Sequence, residues 1–146
     1  MKQAKLVFKM LKDRGWHIGI MESCTGGAIA NAITNFPGSS EIFKLGLVTY
    51  SNEAKIKCGV SSKIIHDFGV YSSEVAKEMA KVVEEEVGVG VTGELPGRVY
   101  VCIRIKNKYF DKKLRIKDYK LRERMKGKVV TAVFNMMLKS IKIGLN

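Results

Sequence analysis

Histidine is scarce in this chain, with only His17 and His66 among 146 residues. A Ser/His/Asp triad and a Cys/His dyad both need an imidazole beside the nucleophile, so both are starved of candidates. Cysteine is also scarce and odd in number: Cys24, Cys58 and Cys102 stand far apart. That excludes a disulfide framework and a CxxC metal site and leaves reduced thiols. Along the chain no cluster of His, Cys, Asp and Glu has ligand spacing, so neither a metal nor a cofactor is expected. No run approaches the 18 or so apolar residues that a membrane-spanning helix needs. The N-terminal stretch MKQAKLVFKMLKDRGW alternates charged and apolar residues and lacks the uninterrupted apolar stretch of a signal peptide. A cytoplasmic protein without membrane contact is expected. Internal repeats, low-complexity segments and linkers are absent too, which predicts a single domain over residues 1–146.

What is present is an ordinary globular composition with an uneven charge. Hydrophobic residues make up 46% and charged residues 27%, enough for one domain with a real core. The net charge of +12 divides unequally. Residues 1–100 hold 12 Lys/Arg against 11 Asp/Glu, a balance of +1, and residues 101–146 hold 14 against 3, a balance of +11. Such a basic third can face nucleic acid or another polyanion, or simply be a solvated surface. Its aromatics, Tyr109, Phe110, Tyr119 and Phe134, do not repeat as a base-stacking platform would.

Periodicity predicts a helix over 2–14 with Ala4, Val7, Phe8 and Leu11 inward, stopped by Gly15. A strand is predicted over 16–21, a helix over 28–35, the turn FPGSS, and a strand over 41–50. Short helices follow in SNEAKIKCG, capped by Ser51 or Asn52 and closed by Gly59, and in SSKIIHDFG, opened by Ser61. Ser72 opens a longer one to Glu86, with Val75, Met79, Val82 and Val83 inward. VGVGV, residues 87–91, is a thin buried-strand candidate. A hairpin is predicted from Gly97–Ile105 and Tyr109–Ile116, then a basic helix over 120–142. This order predicts an α/β fold with a mixed sheet.

Three polar turns follow three predicted strands. The first, ESCTGG (22–27), offers two nucleophiles, Ser23 and Cys24. Neighbours in extended chain point to opposite faces, so one of the two can face a site. The amides of residues 24–27 can form an oxyanion or phosphate cradle at the helix start, and Gly26 and Gly27 let a bound group approach. The second turn, in VTYSNEAK, offers Thr49, Tyr50, Ser51, Asn52 and Lys55; the third, VTG, offers Thr92 and Gly93. If the strands run parallel in one sheet, all three turns gather at its carboxyl edge, where ligands of open α/β sheets bind. Without a usable histidine, a serine can be served by a lysine whose pKa burial has lowered.

Together ESCTGG, PGSS (37–40), VTYSNEAKIKCGV (48–60), the helix around SEVAKEMA and VTG (91–93) resemble the CinA C-terminal domain family, also known as the nicotinamide mononucleotide deamidase family. The resemblance covers nearly the whole chain. It implies a three-layer α/β/α sandwich and an amidohydrolase that converts nicotinamide mononucleotide and water to nicotinic acid mononucleotide and ammonia. On the matching motifs it implies Ser23 as nucleophile, Lys55 as general base and Tyr50 as the assisting tyrosine. It implies a substrate pocket from Glu22, Thr25, Gly26, Gly27, Ser40, Thr49, Asn52, Thr92 and Gly93. A small-molecule nucleotide is the implied partner, and self-association into a homo-oligomer is common in the family. Longer family members carry a further N-terminal domain; the resemblance here is to the stand-alone form, which is the expectation for this chain.

The chain departs from the family in two places. Where the family continues VTG into a long glycine-rich loop, this chain reads VTGELPGRVYV. The family's last helix opens with an arginine that approaches the site. Here LRERMKGK offers Arg122, Arg124 and Lys126, of which Arg122 and Lys126 share a helical face. The shorter loop motivates an alternative expectation: a binding or regulatory module with impaired catalysis, contacting nucleic acid through its basic C-terminal third.

Overall fold

The computed structural model describes residues 1–144; the last two positions of the expected 1–146 domain lie outside the described residues. Among the described residues six α-helices flank a five-stranded sheet in the order β2-β1-β3-β4-β5. The strands are β1 (Ile18–Glu22), β2 (Phe43–Val48), β3 (Val87–Gly93), β4 (Gly97–Ile105) and β5 (Lys108–Ile116). β1 pairs in parallel with both β2 and β3, and β3, β4 and β5 run antiparallel. The sheet is therefore mixed, and the architecture is an α/β/α sandwich.

The two faces of the sheet are built differently. Val87, Val89 and Val91 of β3, with Val99, Val101, Ile103 and Ile105 of β4, join the main core beneath α1 (Lys2–Arg14), α2 (Ala28–Ile33) and α6 (Arg122–Gly144). The opposite face receives α5 (Ser73–Val82), with α3 (Asn52–Lys57) and α4 (Ser62–Phe68) beyond it. There the alternation in VGVGV acquires its meaning. A Cβ on Gly88 would stand 2.2 Å from the Ala80 carbonyl oxygen, and one on Gly90 would stand 2.1 Å from that of Ala76. The backbones of strand and helix touch, which only glycine on one side and alanine on the other permit.

The helix α1 has the predicted bounds, and its inward residues Ala4, Val7, Phe8 and Leu11 are buried. The predicted helix to Glu86 stops four residues earlier, at Val82. Arg104 ends it. This nearly buried guanidinium donates to the carbonyls of Ala80 (3.0 Å), Val83 (2.6 Å) and Glu85 (2.8 Å), and to Lys106 O at 2.9 Å. Carbonyls that a longer helix would satisfy internally are taken by a cation. Val82, expected inward, is half-buried for the same reason, because the chain leaves the helix there. The strand predicted at 16–21 is shifted to 18–22, the one predicted at 41–50 is trimmed to 43–48, and β3 extends to Gly93.

Gly90→Ala is expected to destabilise the domain by about 3 kcal/mol, because the methyl has no space and the helix cannot retreat without losing its packing. Arg104→Met is expected to cost about 2–3 kcal/mol by stranding the carbonyls at the end of α5. Denaturant unfolding midpoints check both, and a change below 0.5 kcal/mol or so in either would contradict the packing described.

Candidate active site

Because β1, β2 and β3 are parallel, the turns after them meet at one edge of the sheet. Ser23 is the first residue beyond β1. Its amide donates to Val91 O (3.1 Å) on β3, while Thr49 on the other side donates its amide to Glu22 O (3.0 Å). Ser23 is thus held between its two neighbouring strands. The chain then reverses: the Gly26 amide donates to Ser23 O at 2.9 Å, with Gly26 at φ +61° and Gly27 at φ +101°. Both values are left-handed, so the glycine pair first serves the turn.

Glu22 and Thr25, expected to bind substrate, do something else. Glu22 is 1% exposed and folds back under the turn. Its carboxylate accepts from Thr25 Oγ1 (2.5 Å), the Ile29 amide (3.1 Å) and the Ala30 amide (2.9 Å), which satisfies the start of α2. These two residues position Ser23 from behind. Of the cradle amides, that of Gly26 is engaged in the turn, whereas those of Cys24, Thr25 and Gly27 have no hydrogen-bond acceptor among the described residues.

Lys55 comes from the second turn. Ser51 caps α3 through Ala54 N (3.1 Å), which fixes the helix so that Lys55 points under the sheet edge. Its side chain is 2% exposed, and Nζ donates to Thr49 O at 2.8 Å and to Ser23 Oγ at 3.2 Å. Burial pushes its pKa below the ordinary 10.5, against a smaller opposing pull from Cys24. Thr49 lies behind the cavity: its carbonyl holds Lys55, and its buried hydroxyl has no partner among the described residues. Cys24, the other nucleophile of the motif, is 4% exposed in the main core, where burial raises its thiol to about 11. It is protonated at neutral pH and a poor nucleophile.

The cavity above Ser23 and Lys55 has a volume of about 290 Å³. Tyr50 and Asn52 border it on one side, Gly93, Glu94 and Leu95 on another, and Val70 and Tyr71 on a third. Thr92 is fully buried beneath it and donates through Oγ1 to Val70 O (3.0 Å), tying the Val70–Tyr71 wall to β3. Gly93 is required by the tight hairpin, since a Cβ there would stand 2.5 Å from Arg98 O. Arg122 closes the mouth, donating to Leu95 O (2.7 Å) and to the Tyr50 hydroxyl (3.3 Å). Among the cations of the last helix, Arg122 therefore faces the cavity. Lys126 lies against the glycine turn, its Nζ 3.5 Å from where a Gly26 Cβ would be. Arg124 stacks over Tyr119 instead. Ser40 is not brought to the cavity: it is exposed in a 3₁₀ turn, Ser39–Glu41.

Sequence reasoning missed the wall of Val70 and Tyr71. The one available signal was an aromatic residue directly before the helix-capping Ser72. It also missed a cluster of polar side chains that forms only in space. His17, Glu85 and Glu86 hold potential donor atoms within 4.8 Å of one another, although His17 is distant from the two glutamates along the chain. His17 Nδ1 is 2.8 Å from Glu86 Oε1 at the opposite edge of the sheet, so this group is remote from Ser23. His66 is exposed beside Asp67.

The class defined by this geometry is an α/β/α domain carrying a buried serine–lysine pair at the carboxyl edge of its sheet. The family model described as the CinA C-terminal domain matches residues 1–141, and the chain belongs to that family. A competence-damage inducible protein from Caldicellulosiruptor saccharolyticus is 38% identical over 136 residues, covering 78% of this chain and 33% of the relative. One from Caldanaerobacter subterraneus is 38% identical over 148 residues, covering 91% and 35%. The chain thus spans about a third of the length of these curated relatives. The crystal structure of the competence/damage inducible protein CihA from Agrobacterium tumefaciens superposes with a TM-score of 0.89 at 28% identity, covering 97% of this chain and 94% of that one. A CinA-superfamily protein from Klebsiella pneumoniae shares the fold at a TM-score of 0.88 and 20% identity, covering 97% and 96%. Among the described residues no helix is long and apolar enough to cross a membrane.

Cys24 is expected to resist iodoacetamide in the native protein at neutral pH, while the half-buried Cys58 is alkylated first. Mass mapping of the labelled peptides checks the order; rapid labelling of Cys24 would mean a thiolate stands in the cavity.

Proposed function

We propose that the chain is an amidohydrolase acting on the carboxamide of nicotinamide mononucleotide, with Ser23 as nucleophile and Lys55 as general base. The observation that carries this reading is the contact between a buried lysine and the serine hydroxyl, 3.2 Å from Nζ to Oγ. A neutral Lys55 accepts the Ser23 proton as Oγ attacks the carboxamide carbon. The oxygen of the tetrahedral intermediate is met by free amides of the turn, those of Cys24 and Thr25 being available and that of Gly26 not. Lys55 returns its proton to the leaving nitrogen, and ammonia departs. Water, activated by the same lysine, then clears the acyl-enzyme to give the carboxylate. Tyr50 and Arg122 lie at the mouth, where they orient the nucleotide. Lys126 sets positive charge against the glycine turn for its phosphate, and Asn52 offers an amide. The short hairpin at Glu94–Pro96 is compatible with this chemistry, because the serine–lysine contact is made without help from a longer loop.

Ammonia release from nicotinamide mononucleotide tests the proposal. Wild type is expected to release it, and Ser23→Ala and Lys55→Ala are expected to lose activity by at least about a thousandfold while remaining folded. Turnover by Ser23→Ala would sink the mechanism. No release by folded wild type would favour a binding module instead. The rate also has a required pH sense. The reactive form is deprotonated Lys55, whose pKa is depressed, so kcat/KM rises as pH passes up through that value and then levels. A rate that falls over that rise would contradict a lysine base.

A further inference from the structure

The β4–β5 end of the sheet carries a charged surface that the Ser23 chemistry does not use. On the face away from the main core, Cys102 of β4 packs against Ala76 and Ala80 of α5. Beyond that contact the same face presents Arg98, Lys113 and Arg115, all exposed, and exposed Lys117 follows directly after β5. None of these four cations forms an ion pair among the described residues. The carboxylates nearby are Asp111, opposite Cys102, and Glu94, which lines a hollow with Arg98. Lys77 of α5, 4.8 Å from the centre of the Tyr109 ring, adds a further cation at the Asp111 margin. Arg98 and Arg115 are register partners across the two antiparallel strands. Such partners bring their Cβ atoms to about 5 Å, where like charges directly opposite cost stability. Lysines on an edge strand such as β5 discourage pairing with another sheet. That role does not call for Arg98, which lies on the inner strand β4. An anion bridging the two guanidinium groups gives the couple a purpose that folding does not.

We infer that this face binds single-stranded nucleic acid, its phosphate backbone laid along β5 and held between Arg98 and Arg115. Residues two apart on a strand stand about 7 Å from each other on one face. Lys113, Arg115 and Lys117 therefore form a row of cations at close to the spacing of neighbouring phosphates in an extended single strand. The two guanidinium forks suit the oxygens of one phosphate, and that phosphate relieves their repulsion. Tyr100, half-buried opposite Lys113, sets an aromatic ring beside the row, where an unpaired base can stack. The bases of a duplex are already stacked on one another, so this ring favours a single strand. The inference does not depend on the amidase reading, since Ser23 and Lys55 take no part in it.

Fluorescence anisotropy of the wild-type protein with a labelled single-stranded DNA of mixed sequence, about 20 nucleotides long, tests this across a salt series. Binding is expected at about 50 mM salt, with log affinity falling against log salt at a slope of about −3 for four phosphate contacts. The variant carrying Arg98→Gln, Lys113→Gln, Arg115→Gln and Lys117→Gln is expected to bind at least about tenfold more weakly at that salt and to lose most of the slope. Its thermal midpoint is expected at or above the parent's, since a repulsion has been removed. A control with Lys2→Gln, Lys5→Gln, Lys9→Gln and Lys12→Gln removes the same charge from exposed positions of α1 and is expected to keep most of the affinity. No binding by the wild type at low salt overturns the inference. Equal losses in the two variants overturn it in favour of diffuse attraction to a basic protein. A lowered midpoint in the first variant overturns it by giving the four cations a role in folding. A duplex of the same sequence that binds as tightly, and through the same four cations, overturns the single-strand assignment.

Discussion

An ammonium group taken out of water is the constraint on which the rest of this structure depends. Lys55 is among the largest fully buried side chains, and a buried cation is costly unless it is bonded. Its partners are a backbone carbonyl, Thr49 O, and the Ser23 hydroxyl. Neither is an anion, so nothing holds the proton strongly and burial lowers the lysine's pKa. The same desolvation that makes Lys55 a burden on stability favours its neutral, proton-accepting form. Each neighbouring device keeps it there: the Ser51 cap on α3, the Thr49–Glu22 backbone link between β2 and β1, and the Ser23–Val91 link to β3.

Support for that edge comes from polar groups that never meet the cavity. Glu22 is turned away from solvent and holds the start of α2, so its charge organises the turn instead of competing for Lys55. On the far side of the sheet, Arg104 ends α5 and fixes the path into β3, while Gly88 and Gly90 let that helix rest on the strand backbone. The wall formed by Val70 and Tyr71 enters α5 at its capping serine and is pinned to Thr92. Helix and strand that touch through glycine allow little sliding, so the wall and the serine keep their spacing.

The short hairpin between β3 and β4 shapes one wall of the cavity. It places Glu94 and Leu95 at the cavity, where Arg122 ties Leu95 to the last helix and to Tyr50. The mouth is thereby braced by Arg122. The +11 balance of the last 46 residues is thus partly resolved into distinct places: the Arg122 brace at the mouth and the Lys126 charge beside the glycine turn.

Local patterns carried much of this into the sequence. The face of α1, the serine caps of three helices and the bounds of β4 follow from spacing and capping chemistry, which act over a few residues. The scarcity of histidine already pointed toward a lysine. Tertiary structure decided the matters that need partners distant along the chain. It packed Cys24 into the core and set the Ser23 hydroxyl against Lys55. It turned Glu22 and Thr25 from expected ligands into the support of a turn, and left Ser40 outside the cavity. It ended α5 with an arginine from a later strand and gathered His17 with Glu85 and Glu86 across the sheet. Capping and periodicity are written in neighbours, whereas the direction of a side chain and the burial of a charge depend on what the fold brings opposite them.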